Sequence, residues 1–215
     1  MFLGIDHLVI AVADPDDAAS ELASAIGLEA TGGGRHESLG THNRLIWFGD
    51  SFVELIGVFD PALARQSWIG PPTLEALDAG GGFVTWAIVT DSLEHDAVAL
   101  RAVGADLTAA IDGERRRPDG GVVRWRLSKP GRLGPAEPPF LIEHDPASAE
   151  WTQADRAARA GQHHPIGGPV RLEVLELLVD DMSGMIQRLT RSAGLRFRPS
   201  LAGGGARDAA IGGQT

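Results

Sequence analysis

The feature that most constrains the fold is a spacing that occurs three times along the chain. In each copy, an aspartate able to cap a helix N-terminus is followed 13 residues later by a glycine able to end the helix. The three pairs are Asp14–Gly27, Asp91–Gly104 and Asp181–Gly194. An apolar, strand-like run precedes each aspartate, and chance accounts for one such match but not for three. The pattern therefore indicates internal repetition.

In the first two copies, three further strand-like segments joined by tight turns follow the helix. This order predicts an α+β fold of repeated βαβββ units, with a curved mixed or antiparallel sheet forming a cup and the helices outside it. The predicted units span residues 1–78, 79–165 and 166–215, all in one compact domain. The last is a partial copy, with a strand at residues 174–179, a helix after Asp181 and one or two further strands.

The first strand predicts where a ligand would lie, because side chains alternate between the two faces of a strand. Leu8, Ile10 and Val12 are expected to pack against the helix. The alternate positions are then expected to face the hollow of the sheet, and they are His7, Val9 and Ala11. Two units side by side would enclose a cup lined by such positions, which predicts a small-molecule pocket.

Composition excludes several classes of protein. Hydrophobic residues make up 43% and charged residues 22% of the 215 residues, as in ordinary globular proteins. No apolar run approaches the roughly 18 residues of a membrane span, and the N-terminus lacks the pattern of a signal peptide. There is no cysteine, so disulfides and thiolate metal sites are excluded. These features together lead us to expect a cytoplasmic protein that does not bind membranes.

The net charge of −10 argues against nucleic acid as a partner, because nucleic-acid binders carry a basic surface. The dense basic run, residues 115–117, lies beside a turn signal at residues 118–121. We interpret it as a solvated rim, with carboxylate or phosphate recognition by one of its arginines as the alternative. The sequence contains no Walker-type phosphate loop and no nucleophile elbow, so we expect no nucleotide cofactor.

Several motifs together resemble a known family. They are Asp6–Val9, Gly33–His36, Gly40–Asn43, Phe52–Ile56, Pro139–Glu143 and His164–Pro165. In this order and spacing they resemble the glyoxalase-like branch of the vicinal oxygen chelate superfamily, which also contains bleomycin-resistance proteins and extradiol dioxygenases. The resemblance runs from Gly4 to about Leu195.

The resemblance implies a cup that holds a divalent metal ion, with ligands on the first and last strands of paired units. His7 and Glu54 match the ligand positions of the first unit, and Glu143 matches the last-strand position of the second. His7 lies seven residues before Asp14, and the residue seven before Asp91 is Val84. Val84 therefore stands at the fourth ligand position, and valine cannot bind a metal. A metal held by the other three would act as a Lewis acid or activate bound water.

Each metal candidate has an alternative role. His7 would also suit the core as a histidine bonded to a backbone carbonyl. Glu54 has apolar neighbours, so an inward-facing Glu54 would need a partner or a raised pKa, which suits a catalytic base. Alternatively, Glu54 is a solvent-facing or salt-bridged carboxylate. Glu143 begins a polar cluster of the kind that ends a strand in an ordinary turn.

Further residues are candidates for binding the substrate. Three of them, His36, Thr41 and Asn43, follow a glycine run at residues 32–34 that we interpret as a flexible lip of the pocket. Trp86 and Trp125 would form an aromatic wall, or they pack in the core.

Three functions remain open at this point. The first is metal-assisted lyase, isomerase or dioxygenase chemistry on a small oxygenated molecule. The second is binding or sequestering of a small molecule without catalysis, as resistance proteins of this fold do. The third is a metal-free enzyme with Glu54 as general base. Sheet edges left open by the incomplete third unit would favour a homodimer.

Overall fold

The computed structural model of the protein describes residues 1–168, 170–201 and 205–211. Residues 169, 202–204 and 212–215 of the predicted third unit lie outside the described residues. The strands are β1 Phe2–Ala11, β2 Gly32–His36, β3 Thr41–Phe48, β4 Ser51–Val58, β5 Gly82–Thr90, β6 Ile111–Arg116, β7 Val122–Ser128, β8 Phe140–His144, β9 Arg198–Pro199 and β10 Arg207–Asp208. The helices are α1 Pro15–Ile26, α2 Pro61–Ala64, α3 Gly70–Asp78, α4 Leu93–Ala102, α5 Gln153–Ala160 and α6 Met182–Ala193.

The first eight strands form one closed barrel, in the order β1-β4-β3-β2-β6-β7-β8-β5. Within each unit the first and last strands are parallel neighbours, β1 with β4 and β5 with β8, and the remaining pairs are antiparallel. The predicted α+β fold with helices outside a curved mixed sheet is confirmed. The cup closes completely, so every strand of the barrel has two neighbours and none offers the open edge on which we based the expected homodimer.

The side-chain alternation predicted for β1 is also found. His7, Val9 and Ala11 are buried, and Val9 and Ala11 pack with Ile56 of β4 inside the sheet. On the outer face, Ile10 and Val12 belong to the cluster that packs against α1.

Two of the three predicted helix boundaries are confirmed by their cap geometry. The side chain of Asp14 accepts from the N–H groups at the start of α1, and Gly27 ends the helix in the left-handed conformation at φ 70°. Asp181 and Gly194 do the same for α6.

The prediction that Asp91 caps α4 is wrong. Its carboxylate binds the N-terminal ammonium group of Met1 at 2.6 Å instead. The residue before the helix is Ser92, whose side chain makes no cap hydrogen bond, and Leu93 begins the helix.

The predicted strand at residues 174–179 is not formed, although all of these residues are described. The closed barrel has no free edge to pair with it. Leu175, Leu177 and Val179 instead pack against the apolar cluster that also includes residues of α4 and α6, such as Leu100 and Leu189. After α6 the described residues of the third unit add only the short pair β9 and β10.

Strand β5 contains a bulge at Val84. Val9 lies opposite Thr85, whereas the next residue, Ile10, lies opposite Phe83. The extra residue reverses the alternation along β5. Val84 therefore packs in the interior cluster with Val9, while Trp86 packs in the outer cluster beneath the helices.

None of the helices in the described residues has both the length and the apolar character that crossing a bilayer requires.

Candidate functional site

A cavity of about 580 Å³, counting its open mouth, lies inside the barrel. Its wall is largely apolar, with six aromatic rings. They belong to Trp47, Phe52, Trp68, Trp125, Phe140 and Trp151. Seven polar side chains converge on the same space, and these are His7, His36, Asn43, Glu54, Arg115, His144 and Glu150. An apolar cavity with a few convergent polar groups is the usual form of a small-molecule site.

The carboxylate of Asp6 joins two histidines at one side of this cavity. Its Oδ1 lies 2.5 Å from Nδ1 of His7, and its Oδ2 lies 2.8 Å from Nε2 of His144. Asp6 and His7 are adjacent in β1 yet both buried, because the register of β1 against β5 shifts between Ile5 and Leu8. The bridge connects the first strand of one unit to the last strand of the other.

Asp6 is held in its ionised form. Burial alone would raise the pKa of Asp6, but the charge and hydrogen bond of His144, together with those of His7, outweigh burial. The pKa of this carboxyl therefore lies well below its usual range.

Glu54 and His7 face each other inside the cavity. Nε2 of His7 lies 3.6 Å from Oε2 of Glu54, while Oε1 of Glu54 accepts a hydrogen bond of 2.6 Å from Nδ2 of Asn43. The His7 ring is stacked on Phe52, with 4.5 Å between the ring centroids. Both acid–base groups are thus held in place, and their facing atoms are too far apart to form a hydrogen bond with each other.

Arg115 extends from β6 into the same polar group. Its Nη1 donates to Oδ1 of Asn43 at 3.2 Å, and its Nη2 forms an ion pair with Oε2 of Glu150. Arg115 and Glu150 are both buried, with 4% and 7% of their surface exposed. Asn43 therefore connects this ion pair to Glu54.

His36 lies at the end of β2, where its Nδ1 is 2.9 Å from the hydroxyl oxygen of Thr41. Its ring also meets Trp125 edge to face, at 5.8 Å between centroids. Burial lowers the pKa of His36 to about 4, so the ring is neutral near pH 7. Thr41 is fully buried behind His36 and is not part of the cavity wall.

The glycine run at residues 32–34 is not the flexible lip that we expected. It forms most of strand β2. A side chain at Gly34 would collide with the backbone carbonyl oxygen of Arg116 on β6, where the two units meet. Glycine is needed here because the two backbones approach closely.

Besides Thr41, two predicted site residues lie away from the cavity. Glu143 points out of the barrel, and its Oε2 accepts a hydrogen bond from the backbone N–H of Leu93 at the start of α4. Its neighbours Ile142 and His144 line the cavity instead, because side chains of β8 alternate. Trp86 lies in the outer cluster as a result of the bulge at Val84.

The registers of the two units identify the residues that correspond to His7 and Glu54 in the second unit. His7 lies opposite Phe52, and Ala87 lies opposite Phe140. When the units are matched on these two pairs, Ala87 takes the position of His7, and the residue two after Phe140, Ile142, takes the position of Glu54.

This donor set does not fit a metal centre. Neither alanine nor isoleucine offers a ligand atom, so only His7 and Glu54 remain of the four ligand positions that the resemblance implies. Among residues 1–168, 170–201 and 205–211, no three histidine, aspartate or glutamate side chains are grouped so as to hold a metal ion.

Of the predicted site residues, the structure brings His7, His36, Asn43, Glu54 and Trp125 together at the cavity. The sequence reasoning missed the roles of several others, namely Asp6, His144, Arg115, Glu150, Trp47 and Trp151. One signal was available. Matching Phe140 with Phe52, rather than Glu143 with Glu54, would have placed Ile142 and His144 on the inner face of β8.

Comparison with known proteins agrees with this architecture. Residues 5–193 match the family model described as a glyoxalase-like domain. No curated protein sequence matches the chain.

Among solved structures, a hypothetical protein from Staphylococcus aureus is similar, with a TM-score of 0.55 and 20% identity over 66% of this chain. The match spans 59% of that protein's length. Methylmalonyl-CoA epimerase from Mycobacterium tuberculosis matches with a TM-score of 0.49 and 22% identity, over 66% of this chain and 89% of that one. A single-residue variant of the Streptomyces coelicolor epimerase, in complex with 2-nitronate-propionyl-CoA, has a TM-score of 0.48 and 21% identity, over 66% and 98% of the two chains.

At 20% identity the Staphylococcus aureus structure informs on the fold alone. The family model covers most of the chain, and it confirms the resemblance seen in the sequence motifs. The chain belongs to the glyoxalase-like domain family, within the vicinal oxygen chelate superfamily.

Proposed function

We propose that the protein binds a small oxygenated molecule in the barrel cavity and transfers a proton at the carbon next to its carbonyl group. The reaction class is that of an isomerase or lyase without a metal. The observation that carries the proposal is the pairing of His7 Nε2 with Glu54 Oε2, 3.6 Å apart in a cavity with aromatic walls.

The hydrogen bonding of His7 supports this proposal. Because the ionised Asp6 accepts the proton on Nδ1, a neutral His7 would turn the lone pair of Nε2 toward the carboxylate of Glu54. Protonation of Nε2 removes that repulsion and gives the acid–base couple that the proposed reaction requires.

The proposed step begins with Glu54 ionised and Nε2 of His7 protonated. Glu54 takes a proton from the carbon, and the electron pair of the broken C–H bond moves to form the enol double bond. His7 donates its Nε2 proton to the carbonyl oxygen. Return of a proton to carbon, while the enol hydroxyl gives its proton back to Nε2 of His7, completes an isomerisation, and atoms and charge balance without any oxidant.

Hydrogen–deuterium exchange tests the proposal. Cyclohexanone and phenylacetone in D₂O are expected to exchange the hydrogens next to the carbonyl faster with the protein than in buffer. Glu54→Gln should reduce the enzymatic rate by roughly 100-fold or more, the usual contribution of a general base. Glu114→Gln, on the exposed side of β6, is the matched control and should keep the full rate.

Exchange no faster than in buffer would contradict the proposal. So would equal rates for the wild-type protein and Glu54→Gln.

A second candidate function is binding without catalysis. The six aromatic rings of the cavity wall favour it, because they supply contact area that needs no reaction. In that case a ligand would bind Glu54→Gln about as tightly as the wild-type protein, and no exchange would occur with either.

A further inference from the structure

The charges around the cavity determine which ligands it accepts. Arg115 is the cationic side chain of the wall with the least solvent exposure, and it is already neutralised by Glu150. Its Nη1 is engaged as well, by the amide oxygen of Asn43. The charge of Arg115 is therefore already matched by a carboxylate, and its Nε is the one guanidinium nitrogen left without a hydrogen-bond partner among the described residues.

Two carboxylates at the cavity are not paired with an arginine or lysine. Asp6 is ionised behind His7 and His144, and Glu54 faces the ligand space. Asp6 is matched by the two histidines that it binds, and His36 adds no charge, because burial keeps it neutral near pH 7. The carboxylate of Glu54 therefore faces the ligand space with no unpaired arginine or lysine in the cavity wall to neutralise it.

This charge lies in surroundings of low polarity, where Coulomb forces are far stronger than in water. A bound anion would be repelled and would also lose its hydration. A neutral molecule avoids that cost, and a cation gains from the carboxylate of Glu54. The aromatic rings in the wall supply apolar contact area for a ring compound.

We propose that the cavity selects uncharged or cationic ring compounds and excludes anions, with Glu150 as the specificity-determining residue because it neutralises Arg115. This inference rests on the proposed function only in locating the ligand at the same cavity. It assigns the substrate to the class of neutral or cationic cyclic carbonyl compounds.

Three probes of nearly identical shape test the selection: benzamide is neutral, benzamidine is cationic and benzoate is anionic. Their dissociation constants are measured by calorimetry at low salt, with tryptophan fluorescence as a second readout. Benzamide and benzamidine are expected to bind the wild-type protein, and benzoate at least tenfold more weakly than benzamide.

Variants test the role of Glu150. Glu150→Gln leaves Arg115 without its counter-ion, so the affinity for benzoate relative to benzamide should rise at least tenfold. Removing both charges in Arg115→Gln/Glu150→Gln should restore the wild-type preference. Glu114→Gln, on the same strand as Arg115 but exposed, should leave the ratio unchanged.

The proposal is overturned if benzoate binds the wild-type protein as well as benzamide, or if neither benzamide nor benzamidine binds. An unchanged ratio in a folded Glu150→Gln protein would also overturn it. These outcomes are separate from those of the exchange experiment, because Glu54→Gln abolishes proton transfer whether or not the cavity prefers neutral ligands.

Discussion

At the scale of residues, the site depends on ionisable side chains that are buried but paired. Asp6 is compensated by two histidines, and Arg115 by Glu150. Burying a lone charge is costly, whereas a paired and hydrogen-bonded one persists in the interior. His36 differs, because no carboxylate touches it and burial leaves it neutral. Its neutrality gives the protein a measurable dependence on pH.

His36 should make the folded protein less stable as the pH falls from about 6.5 toward 4. Its pKa is 6.5 in the unfolded chain and about 4 in the fold, so between these values the unfolded state binds the extra proton. The free energy of unfolding should therefore drop by up to about 1.4 kcal/mol per pH unit in this range. His36→Gln should remove that contribution, as measured by urea unfolding at pH 7, 6 and 5.

The control for this measurement is His95→Gln on the exposed side of α4, which should keep the wild-type slope. If His36→Gln shows the same pH dependence as the wild-type protein, His36 is not the buried neutral group described above.

At the scale of elements, the most informative residue is Glu143. Its carboxylate accepts from the N–H of Leu93, one of the first amides of α4 that have no partner within the helix. Negative charge at this end of a helix also interacts favourably with the helix dipole. Glu143 thus supports α4 where Ser92 provides no side-chain cap.

Glu143→Ala should lower the free energy of unfolding by about 0.5–1 kcal/mol, as the loss of a helix cap does. Binding of benzamide should not change, because Glu143 lies outside the cavity. Asp181→Ala, which removes the side-chain cap of α6, is a suitable comparison and should cost a similar amount. Loss of benzamide binding without loss of stability would instead place Glu143 in the ligand site.

Much of the fold was predictable at this scale, because local signals such as Asp14, Gly27 and Gly194 determine helix ends through backbone geometry. The assignment of β8 residues to the inner and outer faces of the sheet was not predictable from such signals. A shift of one residue exchanges the two faces of a strand, so matching Glu143 to Glu54 reversed the whole segment. The bulge at Val84 depends on how β5 pairs with β1, and no local pattern reports it.

In the candidate site, contacts within one unit were predictable, whereas contacts between the units were not. His7 and Glu54 belong to one unit with a recognisable pattern, and the structure places them side by side. The bridge from Asp6 to His144 joins residues 138 positions apart in the sequence. Such a contact follows from closure of the barrel, which no local spacing encodes.

At the scale of the whole molecule, the third unit acts as a cover for the second. Met185, Leu189 and Ala193 of α6 are buried in the same cluster as Leu93 and Leu100 of α4. The segment before α6 adds its alternate apolar residues to this layer. The third unit thus protects the outer face of the barrel, and none of its described residues contributes to the cavity wall.

Leu189→Ala should lower the free energy of unfolding by about 2–4 kcal/mol, because it leaves a hole in a buried cluster. Leu178→Ala is the matched control, since Leu178 is fully exposed and its loss should cost less than about 0.5 kcal/mol. Neither change should alter the dissociation constant of benzamide. Weaker benzamide binding by folded Leu189→Ala would show that the cover also shapes the cavity.

The matched registers of the two units have a consequence for how this protein can evolve. The first unit holds His7 and Glu54, whereas the second has only Ala87 and Ile142 at the same positions. Once repeated halves have diverged in this way, each can change under separate selection. Mutations at Ile142 would alter the shape offered to a ligand while the proton-transfer pair stays intact. The second half is therefore where a new substrate range would arise.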